Sequence, residues 1–457
     1  MREARKTQCS LRETWLDVEH SKELRAISRL LDDHPRIAEL VLQDLRAASG
    51  SAEAPCGAGG LSAEQVVRVL LVKQMNSFSY RALAFHLADS RSYRTFCRLG
   101  FLDKVPSKSA LNANLKALRL ETLEAIHRLV LGAAQQAGVE SGRTVRVDCT
   151  IVESNIHDPR DSELLWDCVR VLQGLLGRAR DLLGSKEVVF GNRMRRAKRR
   201  RKEIAYAKTV ADRQRAYRDL LRVTVEVYAR GLAARDRLRT THKGQDSRQR
   251  RRAQGLADRL DHFLSLAQRI MDQTRRRVVA GENVPSAEKV VSIFEEHTDI
   301  LRKDQRETLY GHKICLSGGV SSMILDCTIM RGNPADSTLA KTMVDRQSEI
   351  FSRPPRQIVF DGGFASKLNL QDIKAAGVKD VAFSKRLGME IAAMVKSTWV
   401  YKRLRDFRAG IEGNISFLKR IFGLDRCTWK SWRSFQTYVW SSILSFNLLV
   451  LARHLLN

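Results

Sequence analysis

The chain has 457 residues, enough at roughly 150 residues per domain for two or three domains with a substantial core. Its 80 Lys and Arg against 51 Asp and Glu leave a formal net charge of +29, a self-repelling surplus that points to a polyanionic partner. With 43% apolar residues and only 8 Pro the composition excludes a disordered chain, and the dispersed cysteines (9, 56, 97, 149, 168, 315, 327 and 427), lacking a C-x-x-C pair, indicate neither a disulfide framework nor a zinc ribbon and suit a reducing cytosol.

The N-terminus, MREARKTQCS, has no apolar core of the signal-peptide kind. Residues 1–140 read as helical, with apolar positions every three or four residues in LSAEQVVRVLLVKQM and from Ser109 to Ala137. Between these stretches Ser and Gly/Pro breaks predict short helices, compatible with a helix-turn-helix or with an ordinary helical bundle. TVRVDCTIV, from Thr144, alternates and is rich in β-branched residues, which predicts a strand. A long helical region follows and turns strongly basic at Arg193. The segment RMRRAKRRRK has eight basic residues in ten, and Arg193 to Arg277 holds 27 basic and 9 acidic residues, a surplus of 18. Such a run can be a solvated helical face, but its size favours phosphate binding, as a clamp and a dimer-bridging surface.

After Gly311, HKICLSG and SSMILDCTIMRG flank the Gly318–Gly319 turn signal and predict a hairpin. A helix from Asp336 to Phe351, the strand RQIVF, the helix LNLQDIKAAG, the strand VKDVAFS and a helix from Val400 to Phe422 complete the pattern. This order describes a mixed α/β sheet interrupted after its first strand by a helical insertion. The apolar stretch Tyr438 to Leu456, broken by Ser441, Ser442, Ser445 and Asn447, predicts a buried C-terminal helix rather than a membrane span.

Motifs for P-loop ATPases, dinucleotide oxidoreductases, zincins and α/β-hydrolases are lacking. The candidates for chemistry are acids placed where strands end. Asp148 lies in an apolar strand, where an ionised carboxylate is costly unless paired or bound to a cation. Asp361 closes a strand before two glycines, and Glu412 shares a helix face with Arg408 and Lys419. Singly, each has an ordinary reading: a solvated edge residue, a turn former, the centre of a surface ion-pair network. Together, three carboxylates on two strands and a helix suit hard divalent cations, which two-metal sites hold roughly 3.5–4 Å apart for phosphodiester cleavage and strand transfer. Weaker candidates are Asn155 and His157, as DNA or outer-sphere metal contacts or polar caps, and His297, as a DNA contact or local turn. Trp429, Trp432, Phe435, Tyr438 and Trp440 fit core packing better than base stacking.

The string RDFRAGIEGNISFLK, Arg405 to Lys419, resembles the Y-x2-R-x3-E-x6-K signature of the DDE transposases of bacterial insertion sequences, with Arg408, Glu412 and Lys419 in register and Arg405 in the Tyr place. VDCTIVESNIHDPRDS around Asp148 and VFDGGFAS around Asp361 resemble the two catalytic strands of that family, the first with Asp158 and Arg160 where Tyr and Thr are usual. VSIFEEHTDILRKDQRETLYGHKI is also similar, with Glu296 in a proline place, and Leu61 to Leu120 is similar to the helical domain that precedes the core. The resemblance spans about residues 60–455 and implies an α/β, ribonuclease-H-like core. It divides the chain into an all-helical, DNA-binding region 1–140, the first core strand at 141–162, a basic helical insertion at 163–290 and the remaining core at 291–457. It further implies that Asp148, Asp361 and Glu412 bind two Mg²⁺ or Mn²⁺ ions and that Arg408 and Lys419 contact DNA. Arg195, Arg196, Lys198, Arg199, Arg200, Arg201 and Lys202 are expected to hold its backbone. The expected activity is metal-dependent cleavage at terminal inverted repeats and strand transfer to target double-stranded DNA, by a homodimer in the bacterial cytoplasm. A nuclease without strand transfer and an inactive DNA-binding regulator are the alternatives.

Overall fold

The computed structural model describes residue 4 and residues 18–49, 60–100, 102–240, 246–303 and 307–457; the rest of the N-terminal decapeptide, Cys9 and Cys56 lie outside the described residues. Two compact units form. One comprises the chain up to Ser154 together with Gly311–Asn457, the other Asn155–Tyr310.

The first unit opens with helices α1 (Glu19–Asp33), α2 (Arg36–Ser49), α3 (Ala63–Met75), α4 (Tyr80–Asp89), α5 (Arg91–Phe96), α6 (Lys108–Ala117) and α7 (Leu120–Gln136). The serines that break the sequence pattern are their caps. Ser79, Ser90 and Ser107 accept the backbone N–H three residues on, and Ser62 forms a reciprocal capping box with Gln65. Helix α3 is buried along its whole length, including Arg68, whose guanidinium bonds Asp32 at 2.9 Å, Glu64 at 3.2 Å and the Phe96 carbonyl at 3.0 Å. Burial of that charge is tolerable because both terminal nitrogens are paired, with Ser28 and the Phe96 carbonyl on one and the two acids on the other, although Nε has no partner.

Strand β1 (Thr144–Ser154) then enters the sheet, and the chain leaves for the second unit. There α8 (Asp161–Leu183), α9 (Met194–Tyr206), α10 (Val210–Thr240) and α11 (Ser247–Thr274) surround their own apolar core, and β2 (Asp299–Lys303) adjoins β3 (Glu307–Gly318), the strand that leads back. β4 (Ile324–Ile329) pairs antiparallel with β3, as the glycine turn predicts. The chain continues through α12 (Ala340–Phe351), β5 (Gln357–Phe360), α13 (Lys367–Ala375), β6 (Asp380–Phe383), α14 (Ile391–Met394), α15 (Thr398–Ile421), β7 (Arg426–Cys427) and α16 (Trp432–Leu456).

In the first unit the strand order is β3-β1-β5-β6, with β3 antiparallel to β1, and β5 and β6 parallel to it, the mixed α/β sheet expected of a ribonuclease-H-like core. The N-terminal helices share one core with this sheet. Helix α16 explains the sharing, because it packs against α1, α3 and α7. By length and composition alone α16 could cross a membrane, but 72% of its apolar window is buried in the protein. Its polar residues are satisfied internally: Ser441 and Ser445 donate to the carbonyls one turn back, and Asn447 bonds both the N–H and the C=O of Ile324. Trp429, Phe435, Tyr438 and Trp440 are core residues, and Trp432 stacks on Phe435.

Gly311, opposite Glu153, is where β3 meets the end of β1. A Cβ there would lie 2.0 Å from the Val152 carbonyl oxygen, a backbone atom that can yield only by breaking the ladder. Gly311→Ala is therefore expected to destabilise the first unit by about 3 kcal/mol, read as a lower midpoint in urea unfolding followed by circular dichroism.

Candidate active site

Parallel pairing of β1 with β5 sets Val147 opposite Phe360, so the next residues, Asp148 and Asp361, stand side by side. Asp148 stays within β1, which runs on to Ser154, whereas β5 ends and Asp361 opens the short turn Gly362–Phe364. The two glycines permit close approach: a Cβ on Gly362 would lie 2.8 Å from the Lys385 side chain, and one on Gly363 2.8 Å from Asp336. Ser384, directly after β6, donates its hydroxyl to Asp361 Oδ1 at 3.0 Å.

Helix α15, started by the Ser397 cap, packs on β1, β5 and β6 through an apolar face that includes Leu404, Ile411, Ile415 and Leu418. Arg146 on β1 stacks on Phe407 at 4.7 Å and donates to its carbonyl at 3.1 Å, while Gly410 leaves room for that guanidinium. This clamp fixes the rotation of α15 and presents Arg408 and Glu412, one turn apart, to the two aspartates. Arg408 is the common partner of all three acids. Its Nη1 lies 3.5 Å from Asp148 Oδ2 and 3.4 Å from Asp361 Oδ1, and its Nη2 donates to Glu412 Oε1 at 2.8 Å.

The acids differ in solvation, with side-chain exposures of 18% for Asp148, 43% for Asp361 and 61% for Glu412. Burial, above all, pushes the Asp148 carboxyl up to about 6. The Cys149 N–H and Arg408 oppose the rise, and the negative charges of Asp361 and Glu412 add to it.

Lys419 shares the helix but not this cluster, and its Nζ lies 3.5 Å from Asp425. Arg405, in the Tyr place, sits over the Tyr401 ring at 5.9 Å. Among the described residues no three acidic, His or Cys side chains already stand in metal-holding geometry. The donor set nevertheless fits a hard divalent cation, being three carboxylates gathered around a positive group with one acid held above its usual range. Ser384 and Arg146 escaped sequence reasoning, since a serine after a strand and an arginine within one carry no local signal.

In the second unit, α9 divides the basic segment by face. Arg196 and Arg200 bind Asp219, Arg201 binds Glu163, and Asp219 is held down to about 2, chiefly by its hydrogen bond from Arg196. Arg195, Lys198, Arg199 and Lys202 are exposed. His157 has both ring nitrogens on acceptors, the Asp167 carboxylate at 2.7 Å and the Asp158 carbonyl at 3.1 Å, and His297 bonds Glu295 at 2.9 Å. Both are local structural contacts. Asn155 is exposed.

With the Asp148 pKa near 6 in the fold and 3.8 as its ordinary value, the folded state holds the extra proton between those limits. Its contribution to stability therefore falls as pH rises from about 4 to about 6 and stays low above. Asp148→Asn, in EDTA, is expected to stabilise the protein at pH 7 by up to about 3 kcal/mol, with the gain gone at pH 4. Urea unfolding at the two pH values measures it, and equal midpoints for variant and parent at pH 7 would contradict the strain at this acid.

Residues 302–448 match the family model described as a transposase DDE domain, and residues 13–117 match a transposase domain (DUF772). No curated protein and no solved structure matches the chain. The two matched segments flank the basic insertion and contain helices α1 to α6, the hairpin, Asp361, Arg408, Glu412 and Lys419. The chain belongs to the DDE transposases of insertion sequences.

Proposed function

We propose that this transposase cuts DNA at the terminal inverted repeats of its mobile element and joins the freed 3′-ends to target DNA, with Asp148, Asp361 and Glu412 as the catalytic carboxylates. The observation that carries this reading is the convergence of the three acids, from β1, the end of β5 and α15, on the one guanidinium of Arg408. Two Mg²⁺ or Mn²⁺ ions on these oxygens would supply an activated water or 3′-hydroxyl and would stabilise the leaving oxygen. Arg408 now occupies the cationic position and must release the acids for that. Its planar fork is then free to grip the scissile phosphate. Lys419, two turns on, contacts the cleaved strand. Each transesterification exchanges one phosphodiester bond for another, so no nucleoside triphosphate is consumed.

In this reading residues 1–140 contribute DNA binding, 141–162 and 291–457 the catalytic core, and 163–290 a clamp on DNA backbone. The protein works in the bacterial cytoplasm as a homodimer that holds two element ends. The seven basic residues of α9 play two parts. Arg195, Lys198, Arg199 and Lys202 meet phosphates directly, while Arg196, Arg200 and Arg201 brace the helix on which the others stand.

Incubation of labelled terminal-repeat DNA with Mg²⁺ is expected to give nicks that EDTA prevents and that Asp148→Ala, Asp361→Ala and Glu412→Ala each reduce more than about 100-fold. Undiminished cleavage in all three variants rules the site out, and products that are only hydrolysed, never joined to target, leave a nuclease.

For α9, replacing Arg195, Lys198, Arg199 and Lys202 by Ala is expected to lower the slope of log affinity against log salt by about 0.9 per phosphate no longer neutralised, without moving the melting temperature. Arg196→Ala with Arg200→Ala, which strands Asp219, is expected to lower the melting temperature by several degrees.

A further inference from the structure

Across most of the second unit, arginines that face a neighbouring helix are neutralised by an acid on it. Arg196 and Arg200 meet Asp219, Arg193 meets Glu226, Arg201 meets Glu163, and Arg235 and Arg239 meet Asp261. One crevice departs from this pattern. Between α8 and α11 lies an open groove of about 430 Å³, lined by Arg178 and Asp181 from α8 and by Arg252, Gly255 and Arg259 from α11, over a leucine from each helix. The three arginines are exposed, and among the described residues none of them makes a salt bridge or a side-chain hydrogen bond. Against them stands only Asp181, so the lining keeps a surplus of two positive charges.

The spacing is that of a built face. Positions 252, 255 and 259 recur at three and four residues and so lie on one side of α11, with the two arginines about 10.5 Å apart along its axis. Position 255 between them is glycine, and a Cβ added there would meet nothing within 4 Å, so the floor is bare. From α8, Arg178 brings a third guanidinium to the same opening.

We infer that this groove seats the phosphodiester backbone of duplex DNA, as a contact separate from the exposed face of α9. Guanidinium forks match the paired oxygens of phosphate, and the leucines offer apolar surface to deoxyribose. An open channel admits a polymer lying along it, whereas a free small anion is better held by an enclosed pocket. The inference rests on the reading that the chain handles DNA, and its test is kept apart from cleavage.

The experiment measures fluorescence anisotropy of a labelled 20-base-pair duplex of arbitrary sequence with the full-length protein, in EDTA, over a series of salt concentrations. Replacing Arg178, Arg252 and Arg259 together by Ala is expected to weaken binding at least tenfold and to reduce the salt slope by about 2 to 3, at about 0.9 for each phosphate left without its arginine. A charge-matched control, Arg250, Arg251 and Arg269 replaced by Ala, takes the same charge from other exposed positions of α11 and is expected to weaken binding less than threefold. Gly255→Met keeps every charge but fills the floor, and is expected to cost severalfold in affinity while the melting temperature stays the same or rises, since Gly is a poor helix former. Equal losses in the groove and control triples, or full affinity in both the groove triple and Gly255→Met, would overturn the inference while leaving the transposase reading intact. Failure of the parent protein to bind duplex DNA at all would overturn both.

Discussion

Three carboxylates held within reach of one another repel, and a fold that gathers them must either place a cation among them or keep an acid partly protonated. Here both occur: Arg408 reaches all three acids, and Asp148, the most buried of them, is pushed up to about 6, first by burial and then by the charges of Asp361 and Glu412. The surrounding structure follows from this requirement. Asp148 and Asp361 are side by side because β1 and β5 run parallel in a fixed register, and Arg408 and Glu412 face them because Arg146 and Phe407 lock the rotation of α15. Arg408 lies one helical turn from the acid it holds closest, so moving α15 by a single residue would carry both away from the strands.

Much of this was legible in the sequence because the signals are local. Alternation in TVRVDCTIV marked β1, the glycine pair marked the hairpin, and a four-residue step placed Arg408 beside Glu412. The serines that interrupt the N-terminal pattern proved to be helix caps. What stayed hidden depends on partners far along the chain. Ser384 reaches Asp361 only because β6 lies beside β5, and β7 is two residues long, too short for any periodic pattern. The N-terminal helices share a core with the sheet through α16, more than three hundred residues later, which no local reading could show. Lys419 is in phase with Glu412, yet α15 ends two residues after it and the chain turns at Gly423, bringing Asp425 within 3.5 Å.

The charge surplus divides in the same manner. Counting residues revealed how basic the insertion is but not which arginines are spoken for, since Asp219 is on a different helix from Arg196 and Arg200. Arginines turned inward serve as struts, with their charge absorbed by acids of the same unit. Some turned outward are paired as well, Arg199 with Glu203 and Arg237 with Glu187, whereas those in the groove between α8 and α11 retain theirs. Net charge thus overstates the surface available to a polyanion, and the distribution of acids over neighbouring helices decides where that surface lies.

The chain leaves the first unit after Ser154 and returns to it at Gly311, and Glu153 and Gly311 face each other across the β1–β3 ladder. Topologically the whole second unit is the loop of one antiparallel hairpin. Closing a loop costs entropy that grows only with the logarithm of its length, so the sheet is nearly indifferent to how many residues are threaded between those two anchor points. The chemistry and the insertion can therefore diverge at different rates. What the sheet constrains is the joint, Gly311 against its partner strand, and not the length of chain that the joint closes.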